Sequence, residues 1–184
     1  TVLLSLYSIL WTFPIPIILA LLINQVKWKK FQRVSQTILY APHFISTMIL
    51  CGMLRIFLSP YGGLISTIIQ AFGGKATNLI DSATAFRTIY ISSSVWQDAG
   101  WGTIIYIATL SSVDASLHEA ARVDGATPLQ RIFYIDIPEL VPVIVIQLIM
   151  SFGNLMNVGF EKAYLLQTSL NKATSEIIAT YVYE

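Results

Sequence analysis

Charge is the scarcest property of this chain. Asp, Glu, Lys and Arg make up only 11% of its 184 residues, while 55% are hydrophobic. With a mean hydropathy of +0.67, that shortage excludes a soluble domain of this size and points to a membrane protein. The formal net charge of +1 argues against nucleic acid as a partner. Cysteine is nearly absent: Cys51 stands alone, so no intrachain disulfide can form, and it reads as a small packing residue. Enzyme signatures are missing too. His118-Glu119-Ala120-Ala121-Arg122 begins like H-E-x-x-H, but Arg122 is a cation at the second ligand position and cannot bind zinc. Gly74-Lys75 is followed by Ala76, and Ile69 stands where a phosphate-binding loop needs its first Gly, so ATP is not held by that motif. No G-x-S-x-G elbow is present. The chain is therefore expected to carry no catalytic residue, no cofactor and no metal.

What the sequence does have is long apolar runs. A bilayer core of about 30 Å is crossed by about 20 helical residues. Four runs reach that length, at roughly 1–24, 37–58, 89–110 and 139–160. They predict an all-α, polytopic transmembrane bundle forming one domain over 1–184. Pro14 and Pro16 predict a kink or local unwinding in the first span. Lys27, Lys29, Lys30 and Arg33 sit together between the first two spans, which places that loop in the cytoplasm and beside lipid headgroups. Alternation then puts the 110–139 segment on the same side. On the other side, Leu64, Ile65, Ile68, Ile69 and Phe72 predict a short interfacial helix. Residues 161–184 read as an outer loop.

The segment His118 to Leu140 is polar and helix-forming, wedged between two apolar runs. Asp114 is placed to cap a helix over Ala115 to Val123, and Gly125 is suited to a left-handed end. Thr127-Pro128-Leu129-Gln130 offers an N-cap, a Pro at the first helical position and a capping-box Gln, so a second helix begins there. Pro138 predicts a break before the last span.

Polar groups inside a span cost about 2.5–3.5 kcal/mol for a charge at its centre, so each is a candidate for a path or a partner. The third span carries Trp96, Gln97, Asp98 and Trp101, indoles that can stack on a sugar ring beside groups that bond hydroxyls. Equally, Asp98 can bond another helix and the indoles can anchor an interface. Gln147, Ser151 and Asn154, with Asn157 somewhat round from them, form a polar stripe in the fourth span. It either lines a pathway or joins helices. His43 and Arg55 are weaker signals, Arg55 being near enough the outer end to snorkel.

The order Glu119-Ala120-Ala121, three residues, Gly125, nine residues, Ile135, one residue, Ile137-Pro138 resembles the EAA loop of ABC-transporter permease subunits, with Ile137 where Leu is usual. Ala41 to Ser46, Phe57 to Leu64, Gly100-Trp101-Gly102 through Tyr106, and Gly153-Asn154 through Glu161 are similar to the oligosaccharide and polysaccharide branch of binding-protein-dependent permeases. The resemblance implies six spans, those present being the second to the fifth, so the chain is expected to be a fragment lacking the first and last. It implies that Glu119, Ala120, Ala121, Asp124, Gly125 and Pro138 belong to the element that couples to the ATPase. The implied partners are ABC ATPase subunits, a second homologous permease, an extracellular solute-binding protein and membrane lipid. The implied function is sugar import across a bacterial cell membrane by alternating access, with ATP hydrolysed elsewhere. An ABC permease for another solute class, an ion-coupled transporter built on Asp98 and a membrane scaffold are the alternatives.

Overall fold

The computed structural model describes residues 1–73, 78–157 and 159–183. Every regular element among them is helical, in line with the all-α expectation. Gly74 and Lys75 of the failed phosphate-loop pattern lie outside the described residues.

The first apolar run forms α1 (Val2–Thr12) and α2 (Pro14–Asn24), parted at Phe13. The break falls where Pro14 and Pro16 remove amide donors from the helical ladder, as the sequence predicts. Together they make 23 residues that are long and apolar enough to cross a bilayer. The second run does not form one straight span. It is divided between α3 (Lys29–Tyr40), a 3-10 turn at Ala41–Phe44, and α4 (Thr47–Phe57). Pro42 has no amide to donate to the ladder where α3 gives way to the 3-10 turn, and the Ser46 side chain accepts from the Ile49 amide to start α4 afresh. The expected interfacial helix is α5 (Leu64–Ala71).

The third run lies within α6 (Ala83–Ser111), 29 residues long. It has ample length, but Ser92, Ser93, Ser94, Gln97 and Asp98 make it less apolar than the other spans, and it falls short of their hydropathy. The three serines donate their hydroxyls to carbonyls of the same helix, which satisfies those donors locally. After α7 (Ala115–Val123) and α8 (Pro128–Arg131), the chain enters a π-helical turn at Ile132–Asp136 and then α9 (Ile137–Gly153). Pro138 does not break the helix, contrary to expectation. It has no N–H to donate to Tyr134, and the ladder widens by one residue just before it, with the Ile137 amide bonding the Ile132 carbonyl. The apolar helix therefore runs from Pro128 to Gly153, beginning well before the expected 139.

Two compact units result. One comprises Thr1–Ser8, Phe44–Ser94 and Leu155–Glu184. In it α10 (Phe160–Leu166) packs on α4, and α11 (Lys172–Ser175) and α12 (Ile178–Tyr183) follow. The outer loop expected at 161–184 is thus a packed, helical segment. Asn171, fully buried, donates to the carbonyls of Ile80 and Leu166 and accepts from the Thr168 amide. Arg55 remains exposed, and its guanidinium donates twice to the Leu165 carbonyl. Lys162 is buried, with its ammonium 2.8 Å from Ser94 Oγ and over the Tyr90 ring.

The other unit comprises Ile9–His43 and Val95–Asn154. Its core is Ala20, Tyr106, Leu110 and Leu140, flanked by Ile17, Leu21, Ile107, Val143 and Ile144, so α2, α6 and α9 share one apolar seam. Small residues set their approach. A Cβ on Gly100 would overlap the Leu39 carbonyl, and one on Gly102 would press on the Pro16 ring. The unit carries both candidate sites.

Candidate functional site

The α7–α8 hairpin is built almost wholly from local signals. Asp114 Oδ1 accepts the Ser116 amide at 2.9 Å, which holds this exposed carboxyl below the usual carboxylate range. At the other end, Gly125 takes φ 79°. The Ala126 amide then reaches back to the Ala121 carbonyl and the Gly125 amide to that of Arg122, the paired bonds of a left-handed helix end. α8 opens on a complete capping box, with the Gln130 amide on Thr127 Oγ1 and the Thr127 amide on Gln130 Oε1. The hairpin presents its face to the outside. Glu119, Ala120, Asp124 and Gly125 are exposed, Ala121 is half-buried, and Val123 is 88% exposed. Pro138 is not on this hairpin but in the first turn of α9.

Apolar exposure continues along the same element at Leu129, Phe133 and Tyr134. These three residues belong to the helix from Pro128 to Gly153, which is apolar enough to cross a bilayer, so their outward side chains suit lipid. A cavity of about 640 Å³ beside α7 has a lining that includes Gln25, Lys27, His118, Glu119, Arg122 and Arg131.

The proposed pathway residues do not all come together. Trp101, Gln147 and Ser151 line one cavity of about 560 Å³ with Phe13, Pro16 and Tyr106. Three aromatic faces, an amide and a hydroxyl thus share one space, the combination that suits a sugar ring with its hydroxyls. Ser151 Oγ donates to the Gln147 carbonyl at 2.8 Å, leaving its oxygen as an acceptor. Asn154 terminates α9 and bonds the Met150 carbonyl, and Asn157 follows beyond the helix; both are exposed and outside the cavity lining. Trp96 is exposed and Gln97 buried, and neither lines the cavity.

Asp98 bonds another element. Its Oδ1 lies 2.9 Å from His43 Nδ1, and the His43 imidazole stacks on Trp101, centroids 4.5 Å apart and planes 7° from parallel. The carboxylate thereby orients the ring that backs the cavity's indole. Sequence reading undervalued His43 because its partners lie 55 and more residues away. It also passed over Asp136, a carboxylate at the mouth of an apolar run that the polar-in-span rule could have flagged. Among the described residues no three His, Cys, Asp or Glu side chains gather as a metal site.

The protein family described as binding-protein-dependent transport system inner membrane component matches residues 1–184. The polygalacturonan/rhamnogalacturonan transport system permease protein YteP of Bacillus subtilis (strain 168) is 43% identical over 171 residues, covering 93% of this chain and 53% of that protein. Protein LplB of the same organism is 37% identical over 183 residues, covering all of this chain and 58% of the relative. The chain thus spans little more than half the length of these curated relatives. Among solved structures, a bacterial ABC transporter involved in the import of the acidic polysaccharide alginate superposes with a TM-score of 0.95 at 41% identity, over 98% of this chain and 63% of that one.

Proposed function

Because the chain belongs to the family of binding-protein-dependent transport system inner membrane components, we propose that it serves as the membrane subunit of an ATP-driven importer of acidic oligosaccharides in a bacterial cytoplasmic membrane. The observation that carries this reading is the exposed, doubly capped α7–α8 hairpin bearing Glu119, Ala120, Ala121, Asp124 and Gly125. ATPase subunits grip that hairpin from the cytosol. The chain itself catalyses nothing and works beside a second permease and an external solute-binding protein.

Closure of the ATPases on ATP moves α7, and the membrane helices respond by exposing the aromatic cavity alternately to the two sides. Such gating is population shift between two states, driven by ATP's preference for one. In the cavity, Trp101, Phe13 and Tyr106 stack on the sugar, while Gln147 and Ser151 bond its hydroxyls. The acidic class is suggested by the names of two relatives, one transporting polygalacturonan and rhamnogalacturonan, the other alginate.

The test is uptake into proteoliposomes holding the complete transporter. Oligogalacturonate presented on its binding protein should be accumulated only with internal ATP and should stimulate ATP hydrolysis. Stimulation by an amino acid or phosphate instead would move the protein to another solute class. Uptake that survives ATP depletion while an ion gradient persists would reject the ATP-driven reading.

A further inference from the structure

The carboxylate of Asp136 has no assigned part in the hairpin or the cavity, yet it joins the elements that carry both. It is fully buried in the π turn at the foot of α9. Its Oδ2 accepts a 3.0 Å hydrogen bond from Nε2 of Gln25, the residue that ends α2. Its Oδ1 lies 3.4 Å from Nε2 of His118, which immediately precedes Glu119 on α7. The two contacts are unequal. The Gln25 bond is a formed hydrogen bond, whereas the His118 contact has ion-pair distance without hydrogen-bond geometry, and Oδ1 accepts no other hydrogen bond.

A fully buried carboxylate is costly unless charges and hydrogen bonds compensate it, and those facing Asp136 are Gln25, His118 and Arg131. They come from different elements. α2 contributes Pro16 to the aromatic cavity and α9 contributes Gln147 and Ser151, so Asp136 binds two cavity walls to each other and leaves the looser contact for the helix expected to move. We infer that Asp136 is a positioning residue for ATP-coupled transport, transmitting displacement of α7 through His118 to α2 and α9. This rests on α7 being the ATPase contact. The apolar packing around Leu140 and Ala20 holds α2 against α9 in any case; what Asp136 adds is a polar link to α7 whose length can change.

The measurement is sugar taken up per ATP hydrolysed by the complete transporter in proteoliposomes, at equal amounts of assembled complex. Asp136→Ala and His118→Ala should each lower that ratio by about fivefold or more, the smallest effect typical of coupling between sites, while ATP hydrolysis without binding protein persists. Asp136→Asn and His118→Gln, which keep hydrogen-bonding groups in place, should recover part of it. A wild-type ratio in both alanine variants overturns the inference and leaves the importer reading standing. Should Asp136→Ala fail to assemble, His118→Ala decides alone, since its side chain sits on a surface helix. Absence of ATP-dependent uptake by the wild type would overturn the importer reading, and this inference with it.

Discussion

Gly125 is where the hairpin's geometry depends most on a single residue, and its replacement should degrade transport in a graded way. Its φ of 79° lies where a side chain strains the backbone, yet a Cβ there would meet nothing within 4 Å. Gly125→Ala therefore incurs the backbone term alone, about 1–2 kcal/mol. Gly125→Asn should cost less, because Asn tolerates that conformation through local hydrogen bonding. Gly125→Pro cannot reach the angle at all and also loses the amide bonded to the Arg122 carbonyl at 3.1 Å, a combined loss of about 3 kcal/mol or more. Since 1.4 kcal/mol is about tenfold in a population, ATP-driven uptake in proteoliposomes should fall in the order Gly, Asn, Ala, Pro. The Ala variant should lose roughly five- to thirtyfold on that scale, and the Pro variant should lose all coupling while still inserting and assembling. A Pro variant transporting at the wild-type rate would refute the claim that this turn positions the ATPase contact.

Three further outcomes follow from the packing and the caps. The folded pKa of Asp114 lies below its unfolded value, so its cap is fully effective above the unfolded pKa and is lost as pH falls through the folded one; amide exchange in α7 should accelerate only in that acidic window, and Asp114→Ala should abolish the dependence. Gly100→Ala should destabilise the detergent-solubilised protein by about 1–3 kcal/mol as overpacking, read as a lowered Tm, because the Leu39 carbonyl cannot yield; Gly52→Ala, where nothing lies within 4 Å, should not. Trp101→Ala should depress uptake with assembly intact, whereas Trp96→Ala, outside the cavity lining, should leave uptake near wild type.

The contrast between what could be read from the chain and what could not follows the range of the forces involved. Asp114, Gly125 and the Thr127–Gln130 box act on neighbours within a few residues, so their helix boundaries were legible and the structure reproduces them. Pro138 was legible as a disturbance but not as to kind: a missing donor can break a helix or widen it, and the packed Leu140 and Asp136 on either side keep the chain helical through a π turn. The break between α3 and α4 at Ala41–Phe44 was hidden because hydropathy measures composition over a window and is blind to a local change of backbone. Among the proposed pathway residues, the polar stripe of α9 was legible by its period, but Asn154 and Asn157 fall where the helix has ended, so the period stops applying. The His43–Asp98, Gln25–Asp136 and Lys162–Ser94 contacts join residues 55, 111 and 68 apart. Nothing local encodes such pairs.

The central claim is that α7 meets an ATPase on the cytosolic side, and a thiol at its exposed face tests this directly. In a Cys51→Ser background, Ala120→Cys in sealed membranes containing the complete transporter should react with a membrane-impermeant maleimide only from the cytosolic side, and a short bifunctional thiol reagent should join it to the ATPase subunit. Labelling from the external side, or cytosolic labelling with no cross-link to the ATPase, would contradict it.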